Sequence, residues 1–213
     1  MSTRPRVLLA DDHAMLLEAF TRLLSVSCEV VGTVTDGRAL LEEAPGLKPD
    51  VIVSDISMPR LNGIDAYRLL QPKLPDSRWV FLTVNGDPDL AREAFRLGAS
   101  AYLLKSSAAS ELFAAIQKAL AGQRYVTPLI MSGESEGDFL KHSDAARPGK
   151  LTDREREVLQ LLAEGRTMKE VAAVLHVTPR TVAFHKYEIM RRLGVRTTAE
   201  LVQHAVRLHL IGR

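Results

Sequence analysis

The feature that most restricts how this chain can fold is a strand-helix alternation repeated five times within the first 120 or so residues. Short, largely apolar runs stand at Val7-Leu8-Leu9-Ala10, Val30-Val31-Gly32-Thr33-Val34, Val51-Ile52-Val53, Trp79-Val80-Phe81-Leu82 and Tyr102-Leu103-Leu104. Each is followed by a stretch with helical spacing. The first carries Leu16, Phe20, Leu23 and Leu24, and the others span 37–44, 63–71, 88–97 and 108–121. A strand that is apolar on both faces must be covered on both faces, and a parallel sheet between two helical layers does this. Residues 1–122 are therefore expected to form a doubly wound α/β domain with five parallel strands in the order 2-1-3-4-5, the fifth at the edge. Pro88 in the first turn of its helix and Gly98 just past its end agree with that reading.

Residues 123–149 lose the rhythm and gather Pro128, Gly133, Gly137, Pro148 and Gly149, a linker composition. Leu129, Ile130 and Met131 leave room for part of the linker to pack against a domain. Residues 150–213 read as an all-α module with helices at 153–163, 168–175, 179–193 and 198–210, broken at Gly165, at Val177-Thr178-Pro179 and at Gly194. Charge divides in the same way. Residues 1–124 hold 14 Lys and Arg against 15 Asp and Glu, a net −1, while residues 151–213 hold 11 against 7, a net +4. Only the second part has the balance of a polyanion binder. Cys28 is the single cysteine, which excludes an intrachain disulfide and a cysteine-based zinc site. No apolar run approaches the roughly 20 residues of a membrane span, and no signal-peptide layout precedes the first strand. A cytoplasmic protein without a membrane partner is expected.

In a doubly wound sheet, ligands bind at the carboxyl ends of the strands. Asp11 and Asp12 follow the first strand, Asp55 ends the third, Thr83 the fourth and Lys105 the fifth. Three carboxylates gathered at one point repel one another unless a cation neutralises them, and hard oxygen donors suit Mg²⁺. Asp11, Asp12 and Asp55 are thus the expected metal ligands. A carboxylate so neutralised can attack phosphorus, with Lys105 balancing charge on the transferring group and the Thr83 hydroxyl donating to it afterwards. Taken singly, Asp11 could be a helix cap, Lys105 a solvated strand end and Thr83 an ordinary strand residue. As a set, Asp11-Asp12, Asp55 with Met58-Pro59 and Asn62-Gly63, Thr83 and Lys105 resemble the receiver domain of two-component response regulators. That resemblance implies a flavodoxin-like fold, a sensor histidine kinase as phosphodonor, dependence on Mg²⁺ and Asp55 as acceptor. It also implies that Tyr102 rotates inward as Thr83 moves, and that Ser57 and Asn85 tune the phosphoryl lifetime.

The helix from 179 is the most informative of the basic module. Thr178 suits its N-cap and Pro179 its first position. Val182, Ile189 and Leu193 fall on one side and Arg180, Phe184, Tyr187 and Arg191 on the other, as a helix lying in a DNA major groove requires. Leu151-Thr152-Asp153-Arg154-Glu155, Val171-Ala172, Thr178-Pro179-Arg180-Thr181-Val182, His185-Lys186 and Leu193-Gly194-Val195 resemble the LuxR-type helix-turn-helix. Joined to a receiver, this is similar to the NarL/FixJ regulators. Thr178, Thr181, Lys186, Arg191 and Arg192 can reach phosphates; Arg180, Ala183, Phe184 and Tyr187 can read bases. Relatives often carry a polar residue where this chain has Ala183, which favours a thymine methyl there over a hydrogen bond. The last helix has two apolar stripes, Leu201-Ala205-Leu208 and Val202-Val206, one of which can face the domain core and leave the other free. The resemblance implies that such a helix pairs two DNA-binding domains, so Leu201, Val202, Ala205 and Val206 are the dimerisation candidates, giving a phosphorylation-dependent homodimer on palindromic double-stranded DNA.

Two other readings compete. A phosphatase with an aspartate nucleophile typically carries a second Asp two residues on, where this chain has Ser57, so phosphoryl chemistry reads as self-modification rather than enzymatic turnover. An adaptor whose helical module binds protein would give no electrophoretic shift dependent on Arg180 and Lys186. There is no Gly-rich ATP-binding loop.

Overall fold

The computed structural model describes residues 4–131, 133–143 and 151–212. Its N-terminal part runs β1 (Arg6–Ala10), α1 (Ala14–Leu24), β2 (Glu29–Val34), α2 (Gly37–Leu47), β3 (Val51–Asp55), α3 (Gly63–Leu70), β4 (Arg78–Thr83), α4 (Pro88–Leu97), β5 (Ala101–Leu104) and α5 (Ala108–Leu120). All strand pairs are parallel. The period-two alternation of strand side chains divides the interior into two cores. Val7, Leu9, Val51, Val53, Val80 and Leu82 face α1 and α5, while Leu8, Ile52, Trp79, Phe81 and Tyr102 face the layer of α2, α3 and α4. Polar caps start the helices on this second side. The Asp36 carboxylate accepts from Arg38 N and Ala39 N, Asn62 from Asp65 N and Asp87 from Asp89 N.

Two expectations need correction. The sheet has six strands in the order β2-β1-β3-β4-β5-β6, because Tyr125–Val126 forms β6 beside β5, which is therefore not an edge. The expected linker at 123–149 is correspondingly shorter. After β6 a 3₁₀ turn (Pro128–Ile130) and α6 (Glu136–Ser143) pack on α4, with Ile130 and Phe139 fully buried in the Trp79–Tyr102 core. The rest of that linker, including Pro148 and Gly149, lies outside the described residues.

The second part comprises α7 (Asp153–Ala163), α8 (Met168–Val174), α9 (Pro179–Leu193) and α10 (Thr198–Arg207) around Val158, Leu159, Val171, Val182, Ile189, Leu201 and Leu210. Thr152 with Glu155, Thr167 with Glu170 and Thr197 with Glu200 form reciprocal capping boxes at the starts of α7, α8 and α10. The last helix stops three residues before the expected 210. His209 takes a left-handed φ of 54°, Leu210 N returns to Ala205 O at 2.9 Å and His209 N to Val206 O at 3.0 Å, a Schellman ending of the kind that terminates helices.

Candidate functional site

Parallel strands deliver their carboxyl ends to one edge of the sheet, and the acidic residues meet there. Asp55 closes β3, Thr83 closes β4, Asp11 follows β1 and Lys105 follows β5. Asp11, Asp55 and Thr83 are buried, whereas Asp12 is exposed. The Lys105 ammonium stands 2.7 Å from Asp11 Oδ2 and 2.9 Å from Asp55 Oδ2. Ser57 N donates to the other Asp55 oxygen at 3.2 Å. A Cβ on Gly63 would lie 2.1 Å from the Asp55 carbonyl oxygen, so only glycine lets the start of α3 close on the end of β3.

Burial pushes the Asp55 carboxyl above its ordinary range, with Lys105 pulling the other way. Burial also works against the Lys105 ammonium, but its contacts with Asp11 and Asp55 outweigh this and hold it above the usual lysine value. Asp11, Asp12, His13 and Asp55 can each turn one ligand atom to within 4.8 Å of the others. Such a carboxylate-rich donor set fits a hard divalent cation. His13 was missed in the sequence, where its only signal was its place after two aspartates. Its Nδ1 lies 3.1 Å from Asp11 Oδ1 and 2.8 Å from Asp12 Oδ1.

Thr83 Oγ1 accepts from Asn85 N at 3.0 Å. Tyr102 is fully buried beside Thr83 and Asp55, and burial holds its hydroxyl well above the ordinary tyrosine range. The ring expected to rotate inward is already inside, packed in the same core as Phe81, Leu90 and Phe139.

On α9, Val182 and Ile189 are buried, while Arg180, Phe184, Tyr187 and Arg191 are exposed, Phe184 by 63% and Tyr187 by 71%. Thr181, Ala183 and Lys186 sit half-buried at the margin of this face. The Thr178 hydroxyl accepts from Thr181 N, so it caps the helix. Arg191 pairs with Glu188 at 2.6 Å and Arg192 with Glu155 at 3.2 Å, whereas Arg180 makes no ion pair among the described residues. The two stripes of α10 separate. Leu201 and Ala205 are fully buried in the domain core and cannot form a surface for a second copy, a correction to the sequence expectation; Val202 and Val206 are half-buried.

The receiver-domain family of response regulators matches residues 7–117, and the luxR family of bacterial regulatory proteins matches residues 149–205. The chain is a response regulator of the NarL/FixJ family. It is 33% identical to the transcriptional regulatory protein MctR of Rhizobium johnstonii, covering 97% of this chain and 96% of that one. It is 30% identical to the response regulator GacA of Pseudomonas aeruginosa, covering 95% of each. Among solved structures it resembles the RcsB response regulator of Salmonella typhimurium at 26% identity and a TM-score of 0.64, covering 95% of this chain and 97% of that one. This is a regulator carrying a DNA-binding domain, not a classical enzyme. None of its described helices is long and apolar enough to cross a membrane.

In this response regulator the two domains are docked, through residues that periodicity gives no reason to single out. On α7, Arg156 Nε donates to Asp65 Oδ1 at 2.6 Å, and Glu157 pairs with Arg38. Gln160 Oε1 accepts from Asn62 N at 2.8 Å and from Asn62 Nδ2 at 3.0 Å, while Gln160 Nε2 donates to Met58 O at 3.0 Å. Arg60 N donates to Glu164 Oε1 at 2.9 Å. Asn62, part of the receiver motif and the cap of α3, is thereby also an interdomain contact. Among the described residues, no hydrogen bond or ion pair ties the exposed face of α9 to the receiver; Val206 of α10 lines a cleft whose other side is formed by Ser57, Val84 and Asn85 of the receiver.

Proposed function

We propose that Asp55 accepts a phosphoryl group from a sensor histidine kinase, and that this controls dimerisation and DNA binding by the second domain. The observation that carries the reading is the Lys105 ammonium within 2.9 Å of Asp55 Oδ2, at a strand end shared with two further carboxylates. An Asp55 oxygen attacks the donor phosphorus. A new O–P bond forms as the donor's P–N bond breaks, and the electron pair leaves with the imidazole. Lys105 offsets the charge of the incoming phosphoryl group, and Thr83 donates to it once it is attached. Mg²⁺ held by Asp11, Asp12 and Asp55 would neutralise further phosphoryl charge. The regulator catalyses only its own phosphorylation and the hydrolysis that reverses it.

On the DNA side, Arg180, Ala183, Phe184 and Tyr187 meet base edges. Thr181, Lys186 and Arg191 lie towards the backbone, where the Thr178 cap helps to position the helix start. A related regulator, RcsB, is described as a DNA complex and as dimers on DNA, which supports a homodimer on a palindromic site. In α10 the pairing surface reduces to Val202 and Val206. The family and the absence of a spanning helix among the described residues support a cytoplasmic location.

Incubation with acetyl phosphate and Mg²⁺ tests the central step by intact mass. One phosphoryl adduct is expected on the wild type, lost with EDTA and in Asp55→Asn. An adduct of equal yield on Asp55→Asn, or none on the wild type, overturns the assignment.

A further inference from the structure

A cleft of about 490 Å³ lies between the mouth of the acidic site and the end of the DNA-binding domain, with Ser57, Val84 and Asn85 on one side and Val206 and Ile211 on the other. His209 bridges it. Asn85 Nδ2 donates to His209 Nδ1 at 3.2 Å, and His209 Nε2 lies 3.2 Å from Asp87 Oδ2. The Nε2–H tautomer satisfies both contacts. On the receiver side, Asn85 Oδ1 accepts from Asp87 N and Asn85 N donates to Thr83 Oγ1, both at 3.0 Å. Asp87 also caps α4. One imidazole from the DNA-binding domain thus fastens the receiver segment from Thr83 to the start of α4. The tail that carries it is itself held, by the turn at His209 and by Leu210 buried in the second domain.

We propose that His209 is a positioning residue for phosphoryl chemistry at Asp55, clamping the Thr83–Asp87 segment so that the docked DNA-binding domain opposes occupancy of the site. The proposal rests on the reading of Asp55 as phosphoacceptor. Asp55 and Leu82 are cross-strand partners, so Thr83 adjoins any group attached to Asp55. Drawing the Thr83 hydroxyl towards phosphoryl oxygens pulls on Asn85 through its amide, and hence on the His209 contact. The clamp and the phosphoryl contact compete for one segment. Linkage makes the effect reciprocal: a phosphoryl group that loosens His209 releases the docked domain and with it Val206 on α10.

The test uses full-length protein with Mg²⁺ and beryllofluoride, a non-hydrolysable stand-in for the phosphoryl group, with bound fluoride followed by ¹⁹F NMR. His209→Ala is expected to bind about three- to ten-fold more tightly than the wild type, the range for losing one or two modest hydrogen bonds. His209→Gln, which keeps a donor towards Asp87, returns towards the wild-type affinity. Gln160→Ala loosens docking at the other contact and tightens binding as well, and adding His209→Ala to it gains little more. Melting curves accompany each variant, and Gln160→Ala decides alone if His209→Ala melts lower. Wild-type or weaker affinity in His209→Ala and Gln160→Ala overturns the clamp while leaving Asp55 as acceptor. No uptake by the wild type overturns the Asp55 reading, and the clamp with it.

Discussion

At the scale of single residues, the acidic site is an unbalanced charge cluster held in place by its surroundings. Asp11 and Asp55 share one ammonium, and Asp12 adds a third carboxylate at the rim. Coulomb repulsion among such groups is large inside a protein unless it is offset, so a divalent cation binding the folded state should raise stability by mass action. At about 100 times its dissociation constant the gain is about 2.7 kcal/mol. Millimolar Mg²⁺ is therefore expected to raise the melting temperature of the wild type and EDTA to reverse the rise. Asp12→Asn should lose most of the response, and Arg191→Ala, far along α9, should keep it. A melting temperature indifferent to Mg²⁺ in the wild type would remove the metal from the account. The site was legible because each residue is the terminal residue of a recognisable strand or follows one directly. His13 was not, because a histidine beside two aspartates carries no periodicity and no spacing signal.

At the scale of elements, long segments with a clear period declared themselves and short ones did not. The five buried strands and their helices follow from apolar runs that have only one stable environment. A strand of two residues such as Tyr125–Val126 has no alternation to detect. Among its described side chains, α6 has a single fully buried anchor, Phe139, and it sits in a stretch whose Gly and Ser content reads as linker. The stripes of α10 were visible, but which of them faced the core depended on packing against α7, which no local pattern encodes. In α9 the division into faces was legible, and it separates two kinds of residue that experiment can tell apart. Arg180 is exposed and has no ion pair among the described residues, so it is available to a base edge; Arg180→Ala should cost about 1–3 kcal/mol on a specific site and little on random DNA. Lys186 lies at the margin of the face near Thr198. Lys186→Ala should weaken binding to both kinds of DNA and reduce the slope of log affinity against log salt by about one. Equal losses on specific and random DNA for both variants would mean that Arg180 contacts phosphate rather than bases.

At the scale of the molecule, the composition of the interdomain contact decides what it can do. Asp65, Asn62, Arg156, Glu157 and Gln160 are all buried, and besides bonds within its own domain, such as those joining Asn62 to Asp65, each makes a hydrogen bond across to the other domain. A buried apolar interface of this kind would bind the domains permanently. A polar one gains little net free energy, because every group regains water on separation, yet it tolerates no mispairing while closed. Such an interface is poised to open, and it leaves the exposed face of α9 untouched while Val206 faces the receiver. Control is thus expected to act on pairing of two copies more than on access of α9 to DNA. Gln160 supplies the sharpest test. In Gln160→Ala the docked state leaves Asn62 N and Met58 O buried without their partner, at about 1–3 kcal/mol for each, whereas the open state exposes both to water and loses nothing. Small-angle scattering should therefore give the wild type a radius of gyration near the roughly 17 Å of a compact chain of this length, and the variant a larger one, while Arg191→Ala, on the exposed face of α9, stays at the wild-type value. Dimer formation should rise in the same variant without phosphorylation, since the face bearing Val206 no longer looks across a cleft at the receiver. An open, larger variant that remains strictly monomeric would separate docking from dimerisation and leave the second stripe of α10 without its role.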